Sequence, residues 1–169
     1  MKNSVYYAEL GPFREIFRRG IPVLCYHKIS RKPPGAKLRS VFVSPRLFQS
    51  QMKELRGAGY RSISIGACLD SPVPNDRKIS ITFDDGSLSV LQRAAPVLAE
   101  CGFHAINYLV PDKVGGWNDW DIAHGEVPDR LMDWGGVKEW LAAGNEVGAH
   151  TRTHPRLTAI PLAEAREEI

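Results

Sequence analysis

Apolar and polar positions change period along this chain, and each change marks an element. Residues 21–26, IPVLCY, are a short apolar run that reads as a buried strand. A loop rich in proline, glycine and basic residues follows at 30–40. Ser44-Pro45 then opens a helix, with Ser44 suited to the N-cap and Pro45 to the first helical position. Leu47, Phe48, Met52 and Leu55 form its apolar stripe, and Gly57 or Gly59 ends it. Residues 60–65, YRSISI, alternate as a strand does. Past a Pro/Asp loop at 70–77 comes a strand at 78–83, KISITF, with Ile79, Ile81 and Phe83 on one face. The pattern then predicts a helix over 88–100 stopped at Gly102 and a strand over 103–110. A long irregular loop over 111–128 leads to a helix over 131–143 closed by Gly144, a short strand over 146–150 and a helix over 161–169. Ahead of these, Phe13, Ile16 and Phe17 share a face of a short helical lead in residues 1–20, expected to pack on the domain.

Strands and helices therefore alternate, which argues for a mostly parallel α/β sheet or barrel. The 169 residues suit one domain, with a lead at 1–20 and the domain proper at 21–169. No apolar run approaches the ~18 residues of a membrane span. The N-terminus has neither an apolar core nor a small-residue cleavage site, so no secretory signal is expected. Cys25, Cys68 and Cys101 are odd in number and far apart, which excludes a paired disulfide framework and a zinc site built on cysteines; reduced, mostly buried thiols are expected. The net charge of +3 hides a division, since residues 1–65 carry 13 Lys/Arg against 3 Asp/Glu and residues 66–169 carry 9 against 16. No helix-turn-helix, finger or aromatic-basic signature accompanies the basic half, so no nucleic-acid partner is expected. The two halves are expected to attract each other across one domain.

Two features carry chemistry. Asp84 and Asp85 directly follow the 78–83 strand, with Gly86 making the turn. Adjacent carboxylates repel, and the C-terminal edge of a parallel strand is where active sites form. The bland alternative is an Asp-Asp-Gly turn in which Asp85 caps the next helix. The second feature is His150-Thr-Arg-Thr-His154, two imidazoles at i and i+4 after another short strand. Such a pair arises by chance on surface helices. Two histidines and a carboxylate at one edge, however, make an open metal site with room for water.

TFDDG at 82–86, followed by HTRTH at 150–154, resembles the polysaccharide deacetylases, the NodB-homology or carbohydrate esterase family 4 group. Lesser similarities include PVLCYHKI at 22–29 and LMDWGGVKEWLAAGNEVGAH at 131–150, so the resemblance spans about residues 20–169. It implies a distorted (β/α) barrel with the site at the strand C-terminal ends, here cut short after about five strands. It also implies Asp85, His150 and His154 as ligands of a divalent metal, usually zinc, and Asp84 as the catalytic base. Thr82 and Gly86 would shape the turn, and the Thr151 hydroxyl would brace the loop between the ligands. PVLCYHKI is similar to the poly-β-1,6-N-acetylglucosamine deacetylase branch, which implies His27 as general acid. The other reading of His27 is a buried histidine bonded to a loop carbonyl. Base and acid arriving from separate strands would straddle the scissile amide of an N-acetylated glycan. Ser87-Leu88 stands where the family often has an aromatic, and Ile106-Asn107-Tyr108 where it usually has Thr-Phe-Phe. The competing functions are a silent shortened fragment that still binds metal or glycan, and hydrolysis of a non-sugar amide. Trp117 and Trp120 are candidates for stacking on a sugar ring. Trp134 and Trp140 read as core, and His104 and His124 as solvated.

Overall fold

A computed structural model describes residues 7–70, 77–120, 122 and 125–169. The lead forms a single tight turn, Gly11–Phe13, and a short helix α1, Arg14–Arg18. It packs on the domain through buried Leu10 and through Phe17, whose ring meets Tyr60 edge-on at 5.5 Å. Ile16, expected on the same face, is exposed. Neighbouring helix positions point about 100° apart, so seating Phe17 turns Ile16 outward.

Strand β1 is Val23–Tyr26. Two two-residue strands, β2 (Lys28–Ile29) and β3 (Phe42–Val43), pair in parallel and are too short to leave a periodic signal. Helix α2, Pro45–Gly57, starts where expected, with the Ser44 hydroxyl accepting from the Leu47 N–H at 3.3 Å. Phe48, Met52 and Leu55 are buried beneath it. The strand expected over 60–65 is only β4, Arg61–Ser62. Ser64 ends it by accepting the Ala67 N–H at 3.1 Å, which caps a short helix α3, Ile65–Leu69.

Strand β5, Lys78–Asp85, is followed by a helix in two parts. A wide π-type turn at Val90–Ala94 precedes α4, Ala95–Cys101. Pro96 has no N–H to give to the carbonyl four residues back, and the wider turn accommodates that gap. Gly102 closes α4 with φ 66°. Strand β6 is Ile106–Leu109. Helix α5, Trp134–Ala142, begins later than expected because the Asp133 carboxylate caps it, accepting from Gly136 N–H at 2.8 Å. Leu131 and Met132 stay extended, and the Met132 N–H donates to the Gly86 carbonyl at 2.9 Å. Strand β7, Glu146–Ala149, and helix α6, Leu162–Glu168, complete the described elements.

All pairings between these strands are parallel. β5 pairs with β1, β4 and β6, and β6 pairs with β7. Its central place explains why β5 is buried along almost its whole length. Phe83 is the hub of the core, with Tyr26 at 5.6 Å, Phe48 at 5.9 Å and Trp140 at 5.9 Å between ring centroids. Trp140 is fully buried and its indole N–H donates to the Glu146 carbonyl at 2.8 Å, which ties α5 to β7. Trp134, expected in the core, is exposed, because it is the first residue after the cap and lies beyond the buried face of α5.

The cysteines are free, but only Cys101 is buried; Cys25 is exposed. The basic and acidic halves meet at Lys53 and Glu100, 3.1 Å apart. His104 is exposed, as expected, and His124 lies outside the described residues. No helix among the described residues is long and apolar enough to cross a membrane.

Candidate metal and catalytic centre

Because the strands are parallel, the chain ends of β1, β5 and β7 deliver His27, Asp84-Asp85 and His150 to one edge of the sheet. A regular strand would send Asp84 and Asp85 to opposite faces. Asp85 instead has φ 75°, in the left-handed region that a residue with a side chain seldom occupies. The turn continues through Gly86 at φ 78°, where an added Cβ would lie 3.0 Å from Leu109 Cδ2. The same unusual backbone recurs in the histidine loop, at Thr151 (φ 59°) and His154 (φ 67°). Asp85, Thr151 and His154, in two separate loops, thus hold conformations that cost energy and persist only because the surroundings enforce them.

The surroundings are identifiable. His150 N–H extends the β6–β7 ladder by donating to the Leu109 carbonyl at 2.7 Å. The Thr151 hydroxyl accepts from His154 N–H at 3.0 Å and so spans the loop. Glu168, at the end of α6, accepts from the Thr153 hydroxyl and the Thr153 N–H, each at 2.7 Å, and its carbonyl accepts from Arg152 N–H at 3.0 Å. Those bonds hold the Glu168 carboxyl below its ordinary range. On the other side the Trp120 ring stacks on the His154 imidazole, 4.5 Å between centroids and 25° between planes.

Asp85, His150 and His154 bring one ligand atom each into a group whose members lie within 4.8 Å of one another. Asp85 Oδ1 is 3.4 Å from His154 Nε2 and 3.7 Å from His150 Nε2. Tetrahedral bonds of about 2.0–2.2 Å from oxygen and nitrogen to zinc place neighbouring ligand atoms about 3.3–3.6 Å apart. Asp85 is 94% hidden, and its Oδ1 has no hydrogen-bond partner among the described residues. Desolvation pushes its carboxyl above the ordinary value, against the attraction of His27, His154 and His150. A buried, unpaired carboxylate oxygen facing two imidazoles fits a divalent cation.

Asp84 is more open than Asp85 and lies beside His27, with Oδ2 3.8 Å from His27 Nε2. The two do not face each other across a cleft. β1 pairs directly with β5 in the register Tyr26 to Phe83, so the next residue of each strand sits side by side. Thr82 is buried one turn of the pleat below, opposite Cys25. Just beyond β1 the Ile29 N–H donates to Ser89 Oγ at 3.0 Å, Ser89 Oγ meets Ser87 Oγ at 2.8 Å, and Ser87 donates to Asp129 at 2.6 Å. This chain occupies the position where the family resemblance would put an aromatic.

Three further residues border the site, of which the sequence marks only Trp120 as a candidate. Glu168 is brought in by tertiary packing alone. Trp120 was considered for sugar stacking, but one face of its ring is committed to His154. Cys25 is the exposed exception among thiols expected to be mostly buried: strand alternation puts it two residues from His27 and hence on the same face, and its Sγ donates to Asp84 Oδ2 at 3.4 Å. Burial, the largest influence, and the nearby carboxylates raise the Cys25 thiol above its ordinary value, while a bond from Thr82 pulls it down. Trp117 remains exposed, beside an open groove of about 550 Å³ that it shares with Asp112, Lys113 and Ile122.

Residues 72–169 match the polysaccharide deacetylase family. A Bacillus subtilis (strain 168) protein named as a polysaccharide deacetylase, YxkH, is 27% identical over 154 residues, covering 88% of this chain and 48% of its own. Among solved structures, a polysaccharide deacetylase from Bacillus cereus superposes with a TM-score of 0.69 at 29% identity, over 88% of this chain and 44% of that one. IcaB from Ammonifex degensii gives 0.66 at 26% identity, over 86% and 57%. Streptococcus pyogenes deacetylase PplD shares the fold, with a TM-score of 0.69 at 24% identity over 88% and 63%. The chain spans about half the length of the relatives it matches.

Proposed function

The chain belongs to the polysaccharide deacetylase family, and from that premise we propose that it removes N-acetyl groups from a polysaccharide containing N-acetylglucosamine. The observation that carries this reading is the convergence of Asp85, His150 and His154 beside Asp84 and His27 at one sheet edge. The sugar is proposed from the likeness of residues 22–29 to the poly-N-acetylglucosamine branch.

Asp85, His150 and His154 would hold a divalent ion, and two imidazoles with one carboxylate suit zinc. Such an ion supplies Lewis acidity toward water and toward an acetamide carbonyl. Asp84 has an oxygen free of that ligand set and takes the proton from the attacking water. His27 gives a proton to the departing nitrogen, because an amine anion is a poor leaving group. The C–N bond breaks, and acetate and a free amino sugar result. Buried Thr82 and the Gly86 turn keep the two aspartates in place. The half-exposed Trp117 ring, with the Arg130 guanidinium 5.0 Å from its centroid, offers its remaining face to a neighbouring sugar ring.

The test is acetate release from an N-acetylglucosamine oligomer by the zinc-loaded protein. Asp84→Asn should abolish turnover and leave zinc bound at Asp85, His150 and His154, since an amide cannot accept the proton. His27→Ala should lower the rate about 10²–10⁴-fold. The loss should be much smaller on an aryl acetate, whose leaving group needs no proton. Full activity in Asp84→Asn would overturn the mechanism, and equal losses on both substrates would remove the acid role of His27.

A further inference from the structure

Beside the Asp85 centre lies a second group of three potential ligands, Cys25, His27 and Asp84. Their ligand atoms also lie within 4.8 Å of one another. We propose that Cys25, His27 and Asp84 form a second, sulfur-containing site for a zinc-type ion, and that filling it shuts the catalytic centre.

The placement follows from the sheet. Cys25 and His27 are two residues apart at the end of β1 and face the same way. The parallel register sets Cys25 opposite Thr82, and Asp84 two residues further along β5, so all three side chains rise on one face. Asp84 Oδ2 is the shared vertex, 3.4 Å from Cys25 Sγ and 3.8 Å from His27 Nε2. Zinc bonds of about 2.0–2.3 Å put adjacent donors of a tetrahedron about 3.3–3.7 Å apart, close to both separations. Cys25 is exposed and His27 and Asp84 are partly open, so an ion reaches the site from solvent without any rearrangement of the core. Thiolate, imidazole and carboxylate together select a thiophilic divalent ion over magnesium or calcium.

This donor set is chemically different from the two imidazoles and one carboxylate of the Asp85 group, and the two sets share no residue. On ligation the Cys25 Sγ–H proton leaves to solvent, and a metal–sulfur bond replaces the hydrogen bond to Asp84. Asp84 then directs its oxygen at a cation and cannot take up a proton, and His27 uses Nε2 as a ligand and cannot deliver one. The inhibitory consequence rests on the roles given above to Asp84 and His27; the site itself does not.

The experiment uses the whole chain, freed of metal by a chelator. Zinc alone is added and Cys25 is alkylated with iodoacetamide, the modified peptide being followed by mass spectrometry. Saturating zinc should slow Cys25 modification at least about tenfold, because a thiolate bound to the ion is not free to attack the reagent. Cobalt is then used as a spectroscopic probe, through its thiolate-to-metal charge-transfer absorption. The band should appear in the parent and in the His150→Ala/His154→Ala double variant, and be absent from Cys25→Ser. Unprotected Cys25 in the parent, or a band that survives in Cys25→Ser, overturns the site. A band lost from the double histidine variant as well as from Cys25→Ser means that sulfur belongs to the Asp85 centre, which also overturns it. A double variant that binds as many zinc ions as the parent would instead sink the Asp85 centre and leave this site standing. In the acetate-release assay, excess zinc should inhibit the parent, and Cys25→Ser should need at least about tenfold more zinc for the same inhibition. Equal sensitivity would remove the regulatory part of the proposal.

Discussion

Replacing Asp85 with asparagine should make the metal-free protein more stable and the zinc-loaded protein less stable than the parent. Asp85 is buried and its Oδ1 has no hydrogen-bond partner among the described residues. A buried polar group left unpaired costs about 1–3 kcal/mol, and a charged one more. Asparagine keeps the shape, removes the charge and can donate to a neutral imidazole nitrogen. The expected gain without metal is therefore about 1–2 kcal/mol. For a chain of this length that is a rise in Tm of about 2–8 °C. Zinc at a hundred times its Kd stabilises a protein that binds it only when folded by about 2.7 kcal/mol. The parent should gain that in full and Asp85→Asn little of it, so the order of the two melting temperatures inverts on adding zinc.

The pH dependence has a defined sign. Desolvation holds the Asp85 carboxyl above its ordinary value of 3.8, so between that value and its folded one the native protein binds more protons than the unfolded chain. This group's contribution thus makes the metal-free parent less stable as pH rises through that window. The variant has no such group, and its advantage should open above about pH 4. Thermal unfolding followed by circular dichroism, in chelator and in zinc across that range, measures all of this. A metal-free Asp85→Asn that melts below the parent would mean the carboxylate has a structural role that outweighs its desolvation. Equal zinc shifts in the two proteins would take Asp85 out of the ligand set.

Glu168→Ala should weaken zinc binding about tenfold, read by competition with a chromogenic chelator, because it releases Thr153 between the two histidines. Since Glu168 is held below its ordinary 4.5, its hold on the loop is present above that value and is lost as pH falls through the lower folded one; a variant binding zinc like the parent refutes the brace. Gly148→Ala puts a Cβ 2.5 Å from Tyr108 Cδ1 and should cost about 1–3 kcal/mol in chemical denaturation, whereas an unchanged midpoint would show the ring moves freely. Asn107 is fully buried with neither side-chain polar atom bonded among the described residues, so Asn107→Leu should raise Tm; a fall would mean its amide is satisfied.

What the sequence disclosed about the fold depended on how far each signal extended. The 79–83 run is apolar or small throughout and ends at an Asp-Asp-Gly turn, so both the strand and its carboxylate-bearing end were legible. The Ser44-Pro45 opening of α2 was legible for the same reason, since cap and stripe agree. β2 and β3, of two residues each, carry no period to read. The alternation of 60–65 continues on paper past Ser62, and the Ser64 hydroxyl outweighs it in the folded chain. Pro96 lies well inside the helix expected over 88–100, and the π-type turn that accommodates its missing N–H leaves no mark in the apolar pattern.

The site divides along a different line. Residue types announced the candidate ligands, because paired aspartates and spaced histidines are chemically conspicuous wherever they fall. The geometry that makes them a site was silent. Glycine advertises positive φ, as at Gly86, but Asp85, Thr151 and His154 are also left-handed and carry no glycine to announce it. Those three conformations explain why two adjacent aspartates can be assigned different work. The twist at Asp85 carries its carboxylate into the buried pocket between the imidazoles, while Asp84 stays in strand geometry beside Cys25 and His27. Without that twist the pleat would part the two carboxylates across the sheet. A substitution that relaxes it, such as Gly86→Ala at φ 78° against Leu109, acts on the angle between two ligand groups without removing a ligand.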